Sequence, residues 1–230
     1  MSFMIKDFIS LIFPEVCVSC GKSLAKNEYC ICTLCLYHLP VTNYHKQADN
    51  PVSKLFWGRA NIHSAAAFYS FGKGSKVQHL VHQLKYRGRK EIGVTVGKLY
   101  GKELLTSDLF KSIDVILPIP LHIKKKRKRG YNQSDLFAEG LSESMNIEYK
   151  TNVLARVTAS STQTKKSRFN RWKNVESIFE VKKPELLERK HILLVDDVVT
   201  TGSTLEACAQ TILKIPDTKV SIAAIAYAAL

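Results

Sequence analysis

His191-Ile192-Leu193-Leu194-Val195-Asp196-Asp197-Val198-Val199-Thr200-Thr201-Gly202-Ser203-Thr204 is the stretch that decides the fold. The apolar run Ile192 to Val195 reads as a strand buried on both faces of a parallel sheet, because a strand with one wet face alternates in polarity. Two adjacent carboxylates, Asp196 and Asp197, stand at its C-terminal edge, where open α/β sheets hold their ligands. Thr200, Thr201, Gly202, Ser203 and Thr204 then make a small-residue loop that leads into a helical pattern from Leu205 to Leu213. Backbone N–H groups at a helix N-terminus, with threonine and serine hydroxyls beside them, make a phosphate cradle. Neutral donors alone would take any anion. The carboxylate pair adds binding of hydroxyls or Mg²⁺ close to the phosphate, and the combination fits a ribose 5-phosphate. No Gly-Lys-Ser/Thr occurs in the loop, so it is not a nucleoside-triphosphate P-loop.

Strand and helix signals alternate around this stretch. A strand is expected at Ser64 to Phe71, and after Gly72-Lys73-Gly74 a helix from near Ser75, with Val77, Leu80, Val81 and Leu84 on one face. A second helix is expected from about Glu91 to Leu105. Asp114-Val115-Ile116-Leu117 reads as a strand closed by Pro118-Ile119-Pro120. Asn132 or Ser134 caps a helix through Leu136, Phe137 and Leu141, and Lys219 to Ala226 is the last strand. This alternation predicts an α/β fold, a parallel sheet with helices on both faces.

The chain of 230 residues carries 34 Lys and Arg against 20 Asp and Glu, a net charge of +14. Such a balance implies an anionic partner: a phosphorylated metabolite, nucleic acid or a membrane surface. The excess is concentrated. From His122 to Lys173 there are 13 Lys and Arg against 4 Asp and Glu, so +9 of the +14 lies there. Lys124-Lys125-Lys126-Arg127-Lys128-Arg129 is an unbroken cationic run; six adjacent cations cannot all converge on one small ligand, so most of them are expected to face solvent or a long polyanion. A second basic stretch runs from Gln163 to Asn174. Tyr131, Phe169 and Trp172 lie among these cations, either as stacking platforms for the bases of a single strand or as loop anchors.

Five of the six cysteines fall between Cys17 and Cys35. Clustering of this kind points to a metal rather than to disulfides. Cys17-Val18-Ser19-Cys20-Gly21 and Cys32-Thr33-Leu34-Cys35 are two C-x-x-C knuckles, and four thiolates satisfy a tetrahedral Zn²⁺ with no position left open. The expected ligands are therefore Cys17, Cys20, Cys32 and Cys35 in a structural site. Cys30 competes for a place, but Cys32 restores the two-residue spacing; His38 and His45 are weaker substitutes, read as surface histidines.

Ile5, Phe8, Leu11 and Ile12 make one helical face before Pro14, far short of the roughly 20 residues a membrane span needs. It reads as a packing helix, and with no export signal the chain is expected in the cytoplasm. The polar stretch 42–61, with Pro51 and Gly58, reads as a linker anchored by Phe56-Trp57. The expected organisation is a helix and finger over 1–41, a linker over 42–61 and an α/β domain over 62–230.

The run Leu193 to Thr204 resembles the phosphoribosyl pyrophosphate (PRPP) signature of type I phosphoribosyltransferases. With the cysteine knuckles, Pro118-Ile119-Pro120-Leu121-His122 and Arg129-Gly130-Tyr131-Asn132-Gln133 in the same order, the chain from Phe13 onward resembles the ComF family, which joins a zinc finger to a phosphoribosyltransferase-like domain and is associated with bacterial competence for DNA uptake. The resemblance implies that Asp196 and Asp197 hold ribose hydroxyls, often with Mg²⁺, and that Thr200 to Thr204 hold the 5-phosphate. Leu84-Lys85-Tyr86-Arg87-Gly88 matches a further family motif. Gln163, Arg168 and Arg171 match the flexible loop that closes over pyrophosphate in glutamine PRPP amidotransferases, so Lys85, Tyr86, Gln163, Arg168 and Arg171 are expected on the pyrophosphate side. The implied chemistry is displacement at ribose C1, with loop cations offsetting charge on the leaving group. The start, Met1-Ser2, lacks the N-terminal cysteine nucleophile of the glutamine-dependent enzymes, so amidotransfer is not expected. The resemblance also implies DNA-uptake proteins and single-stranded DNA as partners, with a non-enzymatic nucleotide- or DNA-binding role as the alternative to catalysis.

Overall fold

The computed structural model of the chain describes residues 14–157 and 178–229. Its centre is a four-stranded, all-parallel sheet of β1 (Ser64–Ser70), β2 (Val115–Pro118), β5 (His191–Val199) and β6 (Lys219–Tyr227), in the order β1-β6-β5-β2. β5 is flanked on both sides, pairing Val115↔Ile192 through Pro118↔Val195 with β2 and His191↔Lys219 through Val199↔Tyr227 with β6. That position explains its apolar run. Leu193 and Val195 enter one core, Ile192 and Leu194 the other, and all four are fully buried. The strand runs further than its apolar run, through Asp196 and Asp197 to Val199, because β6 extends alongside to Tyr227.

On one face lie α3 (Lys76–Tyr86), α4 (Glu91–Leu104) and α6 (Gln133–Met145); on the other lies α7 (Ser203–Ile212). Ser75 and Asn132 cap α3 and α6, as Ser and Asn before an apolar-periodic run should. α4 and α6 touch backbone to backbone. Gly93, Gly97 and Gly101 form a stripe along α4, and a Cβ at Gly97 would stand 2.5 Å from the Phe137 carbonyl oxygen. Gly140 of α6 meets the Val94 carbonyl in the same crossing. This close approach fixes α6, whose first turn reaches the ligand end of β5. A small antiparallel pair, β3 (Leu154–Arg156) with β4 (Phe179–Val181), leans on the α7 face through Leu154 and Phe179.

Three expectations change. The stretch 42–61 is folded onto the sheet, with a 3₁₀ turn at Tyr44–Lys46 and a short α2 (Pro51–Lys54) capped by Asn50. Val52 and Phe56 are buried in the α7-side core, and the Asn50 amide donates to the Ala65 carbonyl of β1 at 2.9 Å. Sparse apolar residues among polar ones hid this packing. His45 is not a surface residue: it is fully buried, edge-on to Tyr100, and burial lowers its pKa so that the ring is neutral. The cationic run is the helix α5 (Ile123–Arg129), closed by Gly130 at φ 79°. The expected N-terminal packing helix before Pro14 lies outside the described residues.

Candidate functional site

Asp196 and Asp197 sit at the ligand end of the sheet, held by three elements. The Lys85 ammonium, projecting from the end of α3, stands 2.8 Å from Asp197 Oδ1. The Ser134 hydroxyl, in the first turn of α6, donates to Asp196 Oδ1 at 3.0 Å, and the Asp197 N–H donates to the same oxygen at 2.8 Å. Burial, then the neighbouring Asp197 charge, pushes the Asp196 carboxyl up to about 7. Among the described residues no donor is bonded to the second oxygen of either acid. Tyr131 steadies this arrangement from behind, its hydroxyl donating to the Leu84 carbonyl next to Lys85.

The loop Thr200 to Thr204 follows directly. Gly202 takes φ 74° as the residue before α7, a left-handed conformation that disfavours any side chain, and a Cβ there would meet the Phe56 ring at 3.1 Å. Gly202 has no side chain to cap α7, and among the described residues the only side-chain bond to its first N–H groups is a long one, from the Ser203 N–H to the Thr201 hydroxyl at 3.5 Å, so these donors can serve an anion. Thr201 and Ser203 hydroxyls lie 3.0 Å apart beside them. The loop encloses a hollow of ≈ 50 Å³ that also touches Asp196. Arg59, from the stretch expected as a linker, braces it from outside: its guanidinium donates to the Thr201 carbonyl at 3.2 Å and pairs with Glu206 of α7.

Next to the acids is a cleft of ≈ 160 Å³ bordered by Lys85, Lys125, Arg129, Gln133, Ser134 and Thr204. Arg129 donates to Gln133 Oε1 at 2.7 Å, which fixes the amide with its NH₂ as the free end. Gln133 is 1% exposed, and among the described residues its Nε2 makes no hydrogen bond of good geometry. A buried donor left unpaired costs stability, so it marks a place where a ligand acceptor belongs. Asn132 locks the approach, donating to the Ile119 carbonyl at 2.9 Å and to Asp135 at 2.6 Å.

In the finger, the Sγ atoms of Cys17, Cys20, Cys32 and Cys35 all lie within 4.8 Å of one another. Cys20 and Cys32 sulfurs are 3.8 Å apart, matching the edge of about 3.8 Å that a tetrahedron of Zn–S bonds near 2.3 Å requires. Burial raises the Cys17 thiol, but N–H groups of Cys32, Cys20 and Ser19 outweigh it and bring the group down to about 7. Cys30 stands outside the cluster, at φ 64°, with burial pushing its thiol up to about 11. The finger, which ends in the short helix α1 (Thr33–His38), is seated on α3, where Gln83 donates to the Val18 carbonyl at 3.0 Å.

The structure thus brings together Asp196, Asp197, Lys85 and the Thr200–Thr204 loop. Tyr86 lies on an adjoining cavity, with Arg129 5.2 Å from its ring. Gln163, Arg168 and Arg171 lie outside the described residues. Ser134, Gln133 and Arg129 join the site although the sequence reading gave them no role; Arg129 and Gln133 were visible only as members of a motif, and Ser134 read as a cap. Most of the cationic run is exposed, as expected, with Arg129 half-buried. As a helix it turns Lys125, Lys128 and Arg129, at i, i+3 and i+4, onto one side that lines cavities.

The phosphoribosyl transferase domain family matches residues 103–229. Over 220 residues the chain is 30% identical to the DNA utilization protein YhgH of Escherichia coli K12, covering 89% of this chain and 93% of that one. The Bacillus subtilis competence protein ComFC is 28% identical over 214 residues, 87% of this chain and 78% of that one. Competence protein F of Haemophilus influenzae is 32% identical over 141 residues, 59% and 61% of the two chains. The parallel sheet flanked by helices is that of a type I phosphoribosyltransferase fold. The chain belongs to the ComF family.

Proposed function

We propose that the chain binds PRPP, or a related ligand built on ribose 5-phosphate, at the ligand end of β5, and serves DNA uptake or utilisation in the cytoplasm. The observation that carries this reading is that Asp196 and the Thr200–Thr204 loop before α7 border one hollow, with Asp197 next to Asp196 on the adjoining cleft. Carboxylates recognise paired ribose hydroxyls as acceptors, and the loop N–H groups and hydroxyls recognise the 5-phosphate as donors. Asp196 and Asp197 are also the residues that would hold Mg²⁺, each with one oxygen that no donor among the described residues takes up; the ion would supply neutralising charge for a diphosphate. Lys85 keeps the half-buried acids charged-compensated. Gln163, Arg168 and Arg171 are proposed to close over pyrophosphate, with Tyr86 beside it. The four-cysteine cluster fits one structural Zn²⁺, and its place on α3 ties the finger to the element that carries Lys85. A reaction at this site is displacement of pyrophosphate at ribose C1.

The DNA role is carried over from the names of the relatives. One observation favours single-strand binding as a second reading: Lys124, Lys126 and Arg127 are exposed on the side of α5 that lines neither cavity. Calorimetric titration with Mg²⁺–PRPP, and separately with an oligonucleotide at two salt concentrations, tests both. Asp196→Asn with Asp197→Asn should abolish PRPP binding in a protein that still unfolds cooperatively; unchanged affinity overturns the reading. Steep salt dependence of oligonucleotide binding supports the second one.

A further inference from the structure

Two cavities between the finger and α4 have no part in the ribose site. One, of ≈ 360 Å³, is bordered by Pro14, Val16, Leu24 and Cys30 of the finger and by Glu91 at the start of α4. The other, of ≈ 380 Å³, is bordered by Tyr29 and by Glu91, Val94, Lys98, Leu99 and Lys102 of α4. Tyr29 and Glu91 border both, so the two make one groove. Its α4 wall follows helical spacing, from i through i+3, i+7 and i+8 to i+11, and is a single face of the helix. The rest of α4 is already taken. Ile92, Val96, Tyr100 and Leu104 enter the core, and Gly93, Gly97 and Gly101 meet α6. Along the groove the Tyr29 ring is 68% exposed, and Val94 and Leu99 are only half-buried.

We propose that this groove is the docking site of the chain's own residues 1–13, laid in it as an amphipathic helix antiparallel to α4. Position, length and chemistry select that occupant. The described residues begin at Pro14, and Pro14 is itself on the groove wall, so the segment enters the groove with no linker between. Thirteen residues of helix span ~20 Å, and α4 from Glu91 to Lys102 runs ~16 Å. Because the segment starts beside Glu91, it must run toward Lys102, which sets the antiparallel direction. Only Lys6 and Asp7 of the segment are charged, and Ile5, Phe8, Leu11 and Ile12 share one helical face. That face suits Val94, Leu99 and the Tyr29 ring, while Lys6 and Ser10 fall on the opposite side, toward water. Asp7 falls in the half of the segment that reaches Lys98 and Lys102, where opposite charges meet at the rim. A contiguous apolar face of this kind is not stable in water without a cover. The groove has the finger on one wall and α4 on the other, so the docked segment wedges the two together. It adds a second attachment to the one the finger makes with α3 through Gln83 and Val18. The inference is independent of the phosphoribosyl reading.

The test uses the full-length zinc-loaded chain with the photoreactive p-benzoylphenylalanine in place of Phe8. The protein is irradiated at micromolar and at submicromolar concentration, and the products are mapped by mass spectrometry. Cross-links should form within one chain, to Tyr29 or to residues 94–102, with a yield that does not change with concentration. Val94→Glu puts a charge on the groove floor and should cut that yield about fivefold, with zinc content and a cooperative thermal transition showing that the chain still folds. Lys102→Glu, an exposed change that spares the fold, should lower the yield about twofold, and adding Asp7→Lys should restore it. Cross-linked dimers that grow with concentration overturn the proposal, because the groove then takes the segment of a second copy. Cross-links confined to other parts of the chain overturn it as well, as does a yield indifferent to both groove variants. Vesicles of phosphatidylglycerol, added in parallel, test a lipid surface as the occupant's alternative. Sedimentation of the protein with the vesicles and loss of the intrachain cross-link would make the segment a membrane anchor and leave the groove without it; an unchanged cross-link supports the docking.

Discussion

Lys85 and Asp197 meet at 2.8 Å, one at the end of α3 and the other near the end of β5, and each side chain is largely buried at the contact. The pair closes the ligand end of the sheet and gives the two adjacent carboxylates their only cation within salt-bridge distance among the described residues. Removing the ammonium leaves acceptors in a half-buried place without compensation. Lys85→Met should therefore lower stability by about 1–3 kcal/mol. Mg²⁺ at millimolar concentration should restore part of that loss, because a dication can take the position of the ammonium. Thermal unfolding with and without Mg²⁺ checks this; a variant as stable as the parent, or one indifferent to Mg²⁺, counts against the acids as a cation site.

Asp196 gives the pH dependence. Its carboxyl is raised from the ordinary 3.8 to about 7 by burial and by Asp197. A raised acid binds its proton more tightly in the folded state than in the unfolded one. Its contribution thus favours folding most at low pH and is lost as pH rises from about 4 to about 7, after which it is level. Asp196→Asn should remove this slope, so that the variant gains on the parent across that window and is the more stable of the two at pH 8. Urea unfolding of both proteins at pH 5, 6.5 and 8 measures the difference. A constant difference across the three would mean that Asp196 titrates normally.

The sequence made the sheet legible because its strands and core helices carry strong apolar periodicity. β1, α3, α4 and the ends of β5 and β6 fall within a residue or two of their expected limits, apart from the extension of β5. The acid pair and the Thr200–Thr204 loop were equally plain, being contiguous along the chain. What stayed hidden depends on contacts between distant segments. Arg59 reaches Thr201 and Glu206 only because Val52 and Phe56 pack under the sheet. A helix made of cations has no hydrophobic pattern to betray it, so α5 read as a bare charge run. The Gly93, Gly97, Gly101 stripe was in view, yet its meaning needs the facing Gly140.

Zinc content should be about one ion per chain and should vanish in Cys17→Ser with Cys35→Ser. Cys30→Ser should keep it, since the Cys30 sulfur is outside the cluster of four. Loss of the metal should also loosen Lys85, because the finger seats on α3 through Gln83 and Val18. Elemental analysis of protein purified without chelator decides the first point. Zinc lost from Cys30→Ser would reassign the ligands.

Gly140→Ala tests the helix crossing. The added methyl would enter the Val94 carbonyl, backbone that cannot turn aside as a side chain can. The cost should be about 3 kcal/mol. Gly130→Ala meets no neighbour and is strained only by its positive φ, so it should cost about 1 kcal/mol. Chemical denaturation of the two variants gives the comparison; equal effects would mean that α4 and α6 have room to part.

Arg59 is the remaining test of how the phosphate loop is held. Its guanidinium donates to the Leu55 carbonyl at 3.0 Å and the Thr201 carbonyl at 3.2 Å while pairing with Glu206, so one planar fork joins the brace, the loop and α7. The group is 40% exposed on its side chain, so its removal should cost less than about 1 kcal/mol of stability. Its effect on the ligand should be larger than that, because the loop N–H groups must point at one place to bind a phosphate together. Arg59→Ala is expected to weaken ribose 5-phosphate by roughly fivefold, about 1 kcal/mol, and to leave inorganic pyrophosphate unaffected. Arg59→Lys should behave like Arg59→Ala, since an ammonium cannot reproduce the fork. Parallel titrations with the two anions separate the possibilities. Equal losses for both would point to general electrostatics, and full ribose 5-phosphate affinity in Arg59→Lys would reduce the residue to a surface charge.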